Sequence, residues 1–126
     1  MVAEPTSRPF TLVVCVGCAD RRDDTRLEAF RSVVRQCRHG ILVSAPCLLG
    51  SAFCATRPGV GALVLVQPCA VDRTPSGPGH WIGPVVDGDD VGDVCAWIRQ
   101  GRWDPADLPQ RLQHPLSVVS RASLLN

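Results

Sequence analysis

Short runs of apolar residues alternate with amphipathic stretches along most of the chain. The runs are rich in Val, Leu and Ile and are bounded by Gly, Pro or polar residues, a pattern typical of buried strands. Gly83-Pro84 interrupts the last of these runs. The runs predict four strands, over residues 10–16, 41–44, 62–67 and 80–86.

Two longer stretches carry apolar residues at three- and four-residue spacing, which places those residues on one helical face. The first predicted helix begins at Thr25, where Thr25 and Glu28 form a capping box. It ends at His39-Gly40, where we expect the glycine to take the left-handed conformation. The second predicted helix spans residues 89–100 and opens with acidic residues that suit the helix dipole.

The order of these elements predicts an α/β domain over residues 10–100. The strand–helix–strand unit gives two parallel strands, and the later strand pair, joined by a short turn, gives an antiparallel hairpin. Together they predict a mixed four-stranded sheet with two helices, in the order β-α-β-loop-β-β-α. Residues 1–9 are predicted to be a flexible leader. Residues 101–126 contain three prolines, and we expect this C-terminal extension to lie outside the compact core.

Composition and charge narrow the classes of function. A chain of 126 residues, 45% of them hydrophobic, suits one globular domain. The net charge of +1 argues against an electrostatic nucleic-acid binder. No apolar run approaches the ~20 residues that cross a bilayer, and the N-terminal residues lack the apolar centre of a secretion signal. We therefore expect a cytoplasmic protein that neither spans a membrane nor binds nucleic acid.

Seven cysteines are the main candidate chemistry, and in a reducing compartment such clusters bind metal or do redox chemistry more often than they form structural disulfides. Cys15 ends the first predicted strand and Cys18 follows it, while Cys47 and Cys54 follow the second. Loops after parallel strands meet at one edge of the sheet. The four thiols are therefore predicted to converge at this edge, where they could hold a 2Fe–2S cluster or a zinc ion.

The other three cysteines have different predicted roles. Cys37 and Cys95 fall on the apolar faces of the two helices, as packing thiols do. Cys69 ends the third strand, and an antiparallel third strand places it at the opposite edge of the sheet. The Cys15-x-x-Cys18 spacing also occurs in dithiol redox sites, but the acidic residues that follow it disfavour a thiolate there.

Five segments carry a resemblance to a known family. They are LVVCVGC and VSAPCLLGSAFC, which hold the four cysteines, and GALVLVQP, HWIGPV and DDVGDVCAWI, which supply the later strands and the last helix. In these segments the chain resembles the thioredoxin-like 2Fe–2S ferredoxins, over about residues 10–100. The resemblance implies a thioredoxin-like fold and a 2Fe–2S cluster held by Cys15, Cys18, Cys47 and Cys54.

The same resemblance implies electron transfer, by the chain alone or as an accessory subunit of a larger redox enzyme complex. It favours an electron carrier over a stand-alone enzyme and leaves a homodimer open. The extension at residues 101–126 is the part we expect to contact a redox partner. The first cysteine pair is closer, and the second wider, than is usual in the family. A zinc site, a cofactor-free binding or assembly subunit of the same fold, and a thiol–disulfide oxidoreductase remain alternatives.

Overall fold

A computed structural model of the chain describes residues 4–15, 25–45 and 62–113. This part of the chain contains four strands, two α-helices and two short 3-10 turns. The strands are β1 (Phe10–Cys15), β2 (Gly40–Ala45), β3 (Ala62–Pro68) and β4 (His80–Val85). The helices are α1 (Thr25–Gln36) and α2 (Gly88–Gln100), and the 3-10 turns span Pro105–Asp107 and Gln110–Leu112.

The four strands form one mixed sheet in the order β2-β1-β3-β4. β1 is parallel to β2, with Phe10 opposite Gly40 and Cys15 opposite Ala45. β3 is antiparallel to both β1 and β4. The predicted mixed four-stranded α/β sheet with two helices is confirmed, including the parallel first pair and the antiparallel hairpin.

The hydrophobic core lies between one face of the sheet and the two helices. Alternate residues of β1 point into it, because successive side chains of a strand leave opposite faces. Phe10 and Leu12 are fully buried and Val14 nearly so. The other strands and the two helices contribute further buried residues to this core. They are Val64 and Val66 of β3, Ile82 and Val85 of β4, Phe30 and Val33 of α1, and Val94 and Ile98 of α2.

The opposite face of the sheet, here called the outer face, carries a second apolar row. The strand registers align Val43, Val13, Leu65 and Trp81 across the four strands. Val13, Leu65 and Trp81 are half-buried, and Val43 is 43% exposed. Ile41 precedes Val43 by two residues in β2, lies on the same face and is also exposed. The sheet therefore presents apolar side chains on both faces.

The chain after α2 continues into the core. Gly101 ends α2 in the left-handed conformation, at φ 78°. Trp103 then packs edge-on against Phe10, with ring centroids 5.5 Å apart, and its Nε1 donates to the carbonyl of Ile98. Leu108 and Leu112 are also buried. The expectation that the chain beyond Gln100 lies outside the compact core is therefore wrong for residues 101–113, while residues 114–126 lie outside the described residues.

The segment before β1 makes specific contacts with the C-terminal segment. The backbone N–H of Thr6 donates to the carbonyl of Arg99 at 2.9 Å. The Arg8 guanidinium lies 4.3 Å from the centroid of the Trp103 ring and donates to the carbonyl of Gly101. Residues 4–9, expected to be a flexible leader, are thus packed against the end of α2.

Gly40 is required for close packing and not for a left-handed turn. It forms part of β2, and its φ lies outside the left-handed region. A Cβ on Gly40 would lie 2.6 Å from Cζ of Phe10, whose ring is fully buried. The expected left-handed helix stop at this position is therefore wrong, since the glycine makes room for a core aromatic ring.

Candidate functional site

The candidate site lies at the edge of the sheet where β1 and β2 end. Cys15 is the last residue of β1 and is opposite Ala45, the last residue of β2. Because these strands are adjacent and parallel, their last residues lie at the same edge, and residues 16–24 and 46–61 follow them in the sequence. Those segments contain the other three predicted ligands, Cys18, Cys47 and Cys54. All three lie outside the described residues, so the four-cysteine ligand set stays a prediction.

Cys15 is buried at this edge, with 1% of its surface exposed. Its neighbour Val14 points into the core, and strand alternation therefore places the Cys15 side chain on the outer face. A thiol that ends a buried strand is shielded from water and held in position by the sheet. Shielding from solvent is one of the properties by which a protein sets the potential of an iron–sulfur cluster.

The opposite edge of the sheet contains Cys69, as predicted from an antiparallel third strand. Pro68 pairs with Phe10 at the start of β1, and the backbone N–H of Cys69 donates to the carbonyl of Pro9. The guanidinium of Arg73 donates to the carbonyls of Phe10 and His39, at 3.1 and 2.9 Å. Cys69 therefore lies at the far end of β1 from Cys15, where hydrogen bonds from its own N–H and from the Arg73 side chain reach main-chain carbonyls.

Cys37 and Cys95 belong to the helix packing. Burial raises the pKa of the Cys37 thiol, although Arg99 opposes this shift. Burial also raises the pKa of Cys95 to about 11, again against the effect of Arg99. The Cys95 Sγ lies 3.8 Å from the carbonyl oxygen of Ala29 on α1. The raised pKa of both thiols favours their protonated form, as expected of side chains that pack between the helices.

Sequence reasoning missed a charge cluster at the start of α2. Asp90 is 5% exposed, and its carboxylate accepts from the backbone N–H of Val86 and from Nε of Arg111, at 3.0 and 2.6 Å. Arg111 also binds Asp93, at 2.7 Å. Burial opposes ionisation of Asp90, yet the bonds from Val86 and Arg111 outweigh it and hold the pKa of Asp90 below its usual value.

This cluster fastens the segment after α2 to the helix start. The sequence indicates a solvated acidic helix start. It does not reveal the pairing with Arg111, because Arg111 lies in a segment with no periodic pattern. Asp87 is the expected kind of helix cap, since its side chain accepts from the backbone N–H of Asp90. Asp87 and Asp90 are therefore structural here, and Arg111 pairs with both Asp90 and Asp93.

A shallow cavity of about 350 Å³ lies between α2 and the 3-10 turns. Its two acidic residues are Asp93, which binds Arg111, and Asp107, which lies 3.9 Å from Arg102. Both carboxylates are thus paired with arginines of the same chain. The cavity has no charged group directed at a ligand among the residues that the structure describes.

Comparison of the chain with protein-family models, curated proteins and solved structures finds no match. Within residues 4–15, 25–45 and 62–113, no cluster of three or more His, Cys, Asp and Glu side chains is arranged to hold a metal ion. No helix in that part of the chain is long and apolar enough to cross a membrane. The sheet edge that contains Cys15 is therefore the candidate functional site of the described residues.

Proposed function

We propose that the chain is a small iron–sulfur protein with a thioredoxin-like domain, which transfers single electrons through a 2Fe–2S cluster. It would act alone or as an accessory subunit of a larger redox enzyme. The observation that carries the proposal is the pairing of Cys15 with Ala45 at the shared end of two parallel strands. This pairing supports the idea that thiols from two distant stretches of chain are available to one inorganic centre.

Covalent geometry adds a distance limit to this argument. Paired strands lie about 4.8 Å apart, and each residue extends a chain by at most about 3.5 Å. Cys47 follows Ala45 by two residues, so its Cα must lie within about 12 Å of the Cα of Cys15. Cys18 is limited to a similar distance, because it follows Cys15 by three positions in the chain. These limits are compatible with a shared cluster.

The donor set suits the proposed group. Thiolates are the ligands that iron–sulfur clusters prefer, and four of them complete a 2Fe–2S site. Cys15, Cys18, Cys47 and Cys54 would hold the cluster, which supplies reversible one-electron chemistry. The protein's own contribution is positional, since β1 fixes Cys15 in a buried place at the end of the sheet. Contact with a redox partner is proposed for the extension at residues 101–126, of which Trp103, Leu108 and Leu112 are buried in the core.

Anaerobic purification of the full chain tests the proposal. We expect a reddish-brown protein that absorbs visible light. It should contain about two iron atoms and about two acid-labile sulfides per chain, as one 2Fe–2S cluster does. Zinc in place of iron would refute electron transfer while leaving the ligand set standing. A colourless, metal-free protein would overturn the whole proposal.

Serine variants identify the ligands. Cys15→Ser and Cys47→Ser should each abolish the visible absorption. Cys37→Ser and Cys95→Ser are the matched controls, because both thiols pack in or against the hydrophobic core, and these variants should keep their colour. Equal bleaching by a control variant would contradict the ligand assignment. Insulin reduction that Cys18→Ser abolishes would instead indicate a dithiol oxidoreductase.

The apolar outer face favours a second candidate function, that of a cofactor-free binding or assembly subunit. Val13, Leu65 and Trp81 are half-buried there, and Ile41 and Val43 are exposed. Exposed apolar side chains that form a continuous surface mark contact sites for other proteins. A folded, metal-free and colourless chain would favour this function over electron transfer.

A further inference from the structure

The outer face of the sheet is a candidate docking surface. Both helices pack against the inner face, where their side chains share one core with alternate residues of the strands. On the outer face, an apolar row crosses all four strands and consists of Val43, Val13, Leu65 and Trp81. Val43 and the neighbouring Ile41 are 43% and 36% exposed. Apolar side chains that lie together at a surface mark a contact site, so we expect this face to have an occupant.

The chemistry of the outer face selects an apolar occupant. The four strands contain no Asp, Glu, Lys or Arg, and their sequences are FTLVVC, GILVSA, ALVLVQP and HWIGPV. The helices differ, because α1 exposes Arg31 and Arg35 and α2 begins with acidic residues. A charged segment would lose hydration on the sheet without gaining an opposite charge. A segment with several apolar residues and few charges therefore fits this face best.

Residues 114–126 have this composition. Their sequence, HPLSVVSRASLLN, holds Leu or Val at five positions, and Arg121 is its one charged residue. The apolar residues include two adjacent pairs, Val118-Val119 and Leu124-Leu125. Burial of these side chains against the apolar row would remove nonpolar surface of both partners from water, which is the main favourable contribution to such contacts.

The chain reaches residue 114 beside the outer face. Gln113 pairs with Ile82 of β4 through an isolated antiparallel bridge, and Trp81, at one end of the apolar row, precedes Ile82 in β4. Paired strands lie about 4.8 Å apart, so the row spans about 14 Å from β4 to β2. The thirteen residues that follow Gln113 in the sequence can extend over about 43 Å. They are therefore long enough to cross the sheet to Val43.

We propose that residues 114–126 dock on the outer face of the same chain and cover the apolar row from Trp81 to Val43. Attachment at Gln113 keeps this segment near the face at an effective concentration of about 1 mM, which favours docking within the chain over binding of another molecule at lower concentration. A partner protein would then bind this segment or displace it from the sheet. The docking does not depend on the cluster, because the strand registers position the row and the bridge to Ile82 positions Gln113.

Photo-cross-linking of the full chain tests the docking. Benzoylphenylalanine in place of Val43 puts the reactive group at the far end of the row, which residues 114–126 reach only by crossing the sheet. We expect a cross-link to these residues within one chain, identified by peptide mass spectrometry, and its yield should not depend on protein concentration. The matched control has benzoylphenylalanine in place of Val71, which is 62% exposed in the turn after β3, and it should not capture this segment.

Substitutions within the segment test its apolar contacts. Val118→Asp combined with Leu125→Asp should lower the yield of the cross-link at least about tenfold, because the new charges would lie on strands without Lys or Arg. Ser120→Asp combined with Ser123→Asp adds the same charge at polar positions and should keep most of the yield.

Acrylamide quenching of tryptophan fluorescence gives a second readout that needs no photoreactive residue. Trp97 and Trp103 are buried and Trp81 is half-buried, so a change in quenching reports mainly on Trp81. Quenching should increase when Asp replaces Val118 and Leu125, and it should stay the same when Asp replaces the two serines.

Three outcomes would overturn the proposal. One is a cross-link from position 43 to residues 16–24 or 46–61, to a second chain, or to no peptide at all. Another is a yield that Val118→Asp with Leu125→Asp leaves unchanged, and the third is an equal loss in both pairs of variants. Neither iron content nor colour enters these measurements, so a failure of the cluster proposal would not affect their result.

Discussion

Replacement of Leu112 by alanine tests whether the segment after α2 belongs to the core. Leu112 lies in the second 3-10 turn and is fully buried. The backbone of the next residue, Gln113, pairs with Ile82 of β4, so the segment cannot easily move to refill a cavity. The sequence alone gave no reason to place this leucine inside.

The expected loss of stability follows from the burial. Removal of a fully buried leucine side chain forfeits its transfer free energy and leaves a cavity, and together these effects cost about 2–5 kcal/mol. Domains of this size unfold with about 5–15 kcal/mol, so the variant should lose a large share of its stability. At roughly 4 °C per kcal/mol, Tm should fall by about 8–20 °C.

Urea unfolding followed by tryptophan fluorescence measures this loss, because Trp97 and Trp103 are buried beside the same segment. Val86→Ala is the control, since half of the Val86 side chain is exposed, and it should change the free energy of unfolding by less than about 0.5 kcal/mol. If Leu112→Ala costs no more than this control, residues 101–113 are not part of the folded core, and the packing described above is refuted.

Two further substitutions test local features. Gly40→Ala should destabilise the protein by about 1–3 kcal/mol, because its Cβ would overlap the buried Phe10 ring, and unfolding equal to that of the parent would contradict this close approach. Asp90→Asn should lower stability at neutral pH and flatten its acid dependence. The lowered pKa of Asp90 gives stability that is fully present above its unfolded value of about 4 and is lost as pH falls through the folded value. Parallel pH–stability curves for parent and variant would refute that linkage.

The spacing of apolar residues predicted the strands and helices well, because this spacing determines which face of each element is buried. The predicted strand at 62–67 agrees with β3 to within a residue, and the predicted helix at 89–100 agrees with α2 equally well. Strand directions also followed, since a helical crossover requires parallel strands and a short turn requires antiparallel ones. These inferences use neighbouring residues only.

Contacts between distant residues without a repeating pattern could not be predicted. Trp103, Leu108 and Leu112 follow no helical or strand spacing, and their burial depends on a surface that exists only after the sheet and helices have packed. The bond between Arg111 and Asp90 joins residues 21 positions apart, for which a single sequence gives no signal. At the candidate site, the strand pattern predicted that Cys15 ends β1, and the three other predicted ligands lie in segments of the sequence without periodicity.

The hydrogen bonds from Arg73 at the start of β1 have a consequence for how this protein can change. The hydrogen bonds from the Arg73 guanidinium and from the Cys69 N–H to main-chain carbonyls lie at one end of the sheet, and the last residues of β1 and β2 lie at the other. We therefore expect insertions or deletions after β1 and β2 to leave the hydrogen bonds at the opposite end of the sheet intact. The spacing between the cysteines can then change while the sheet stays folded. This end of the sheet is where we expect new ligands or longer loops to be accommodated.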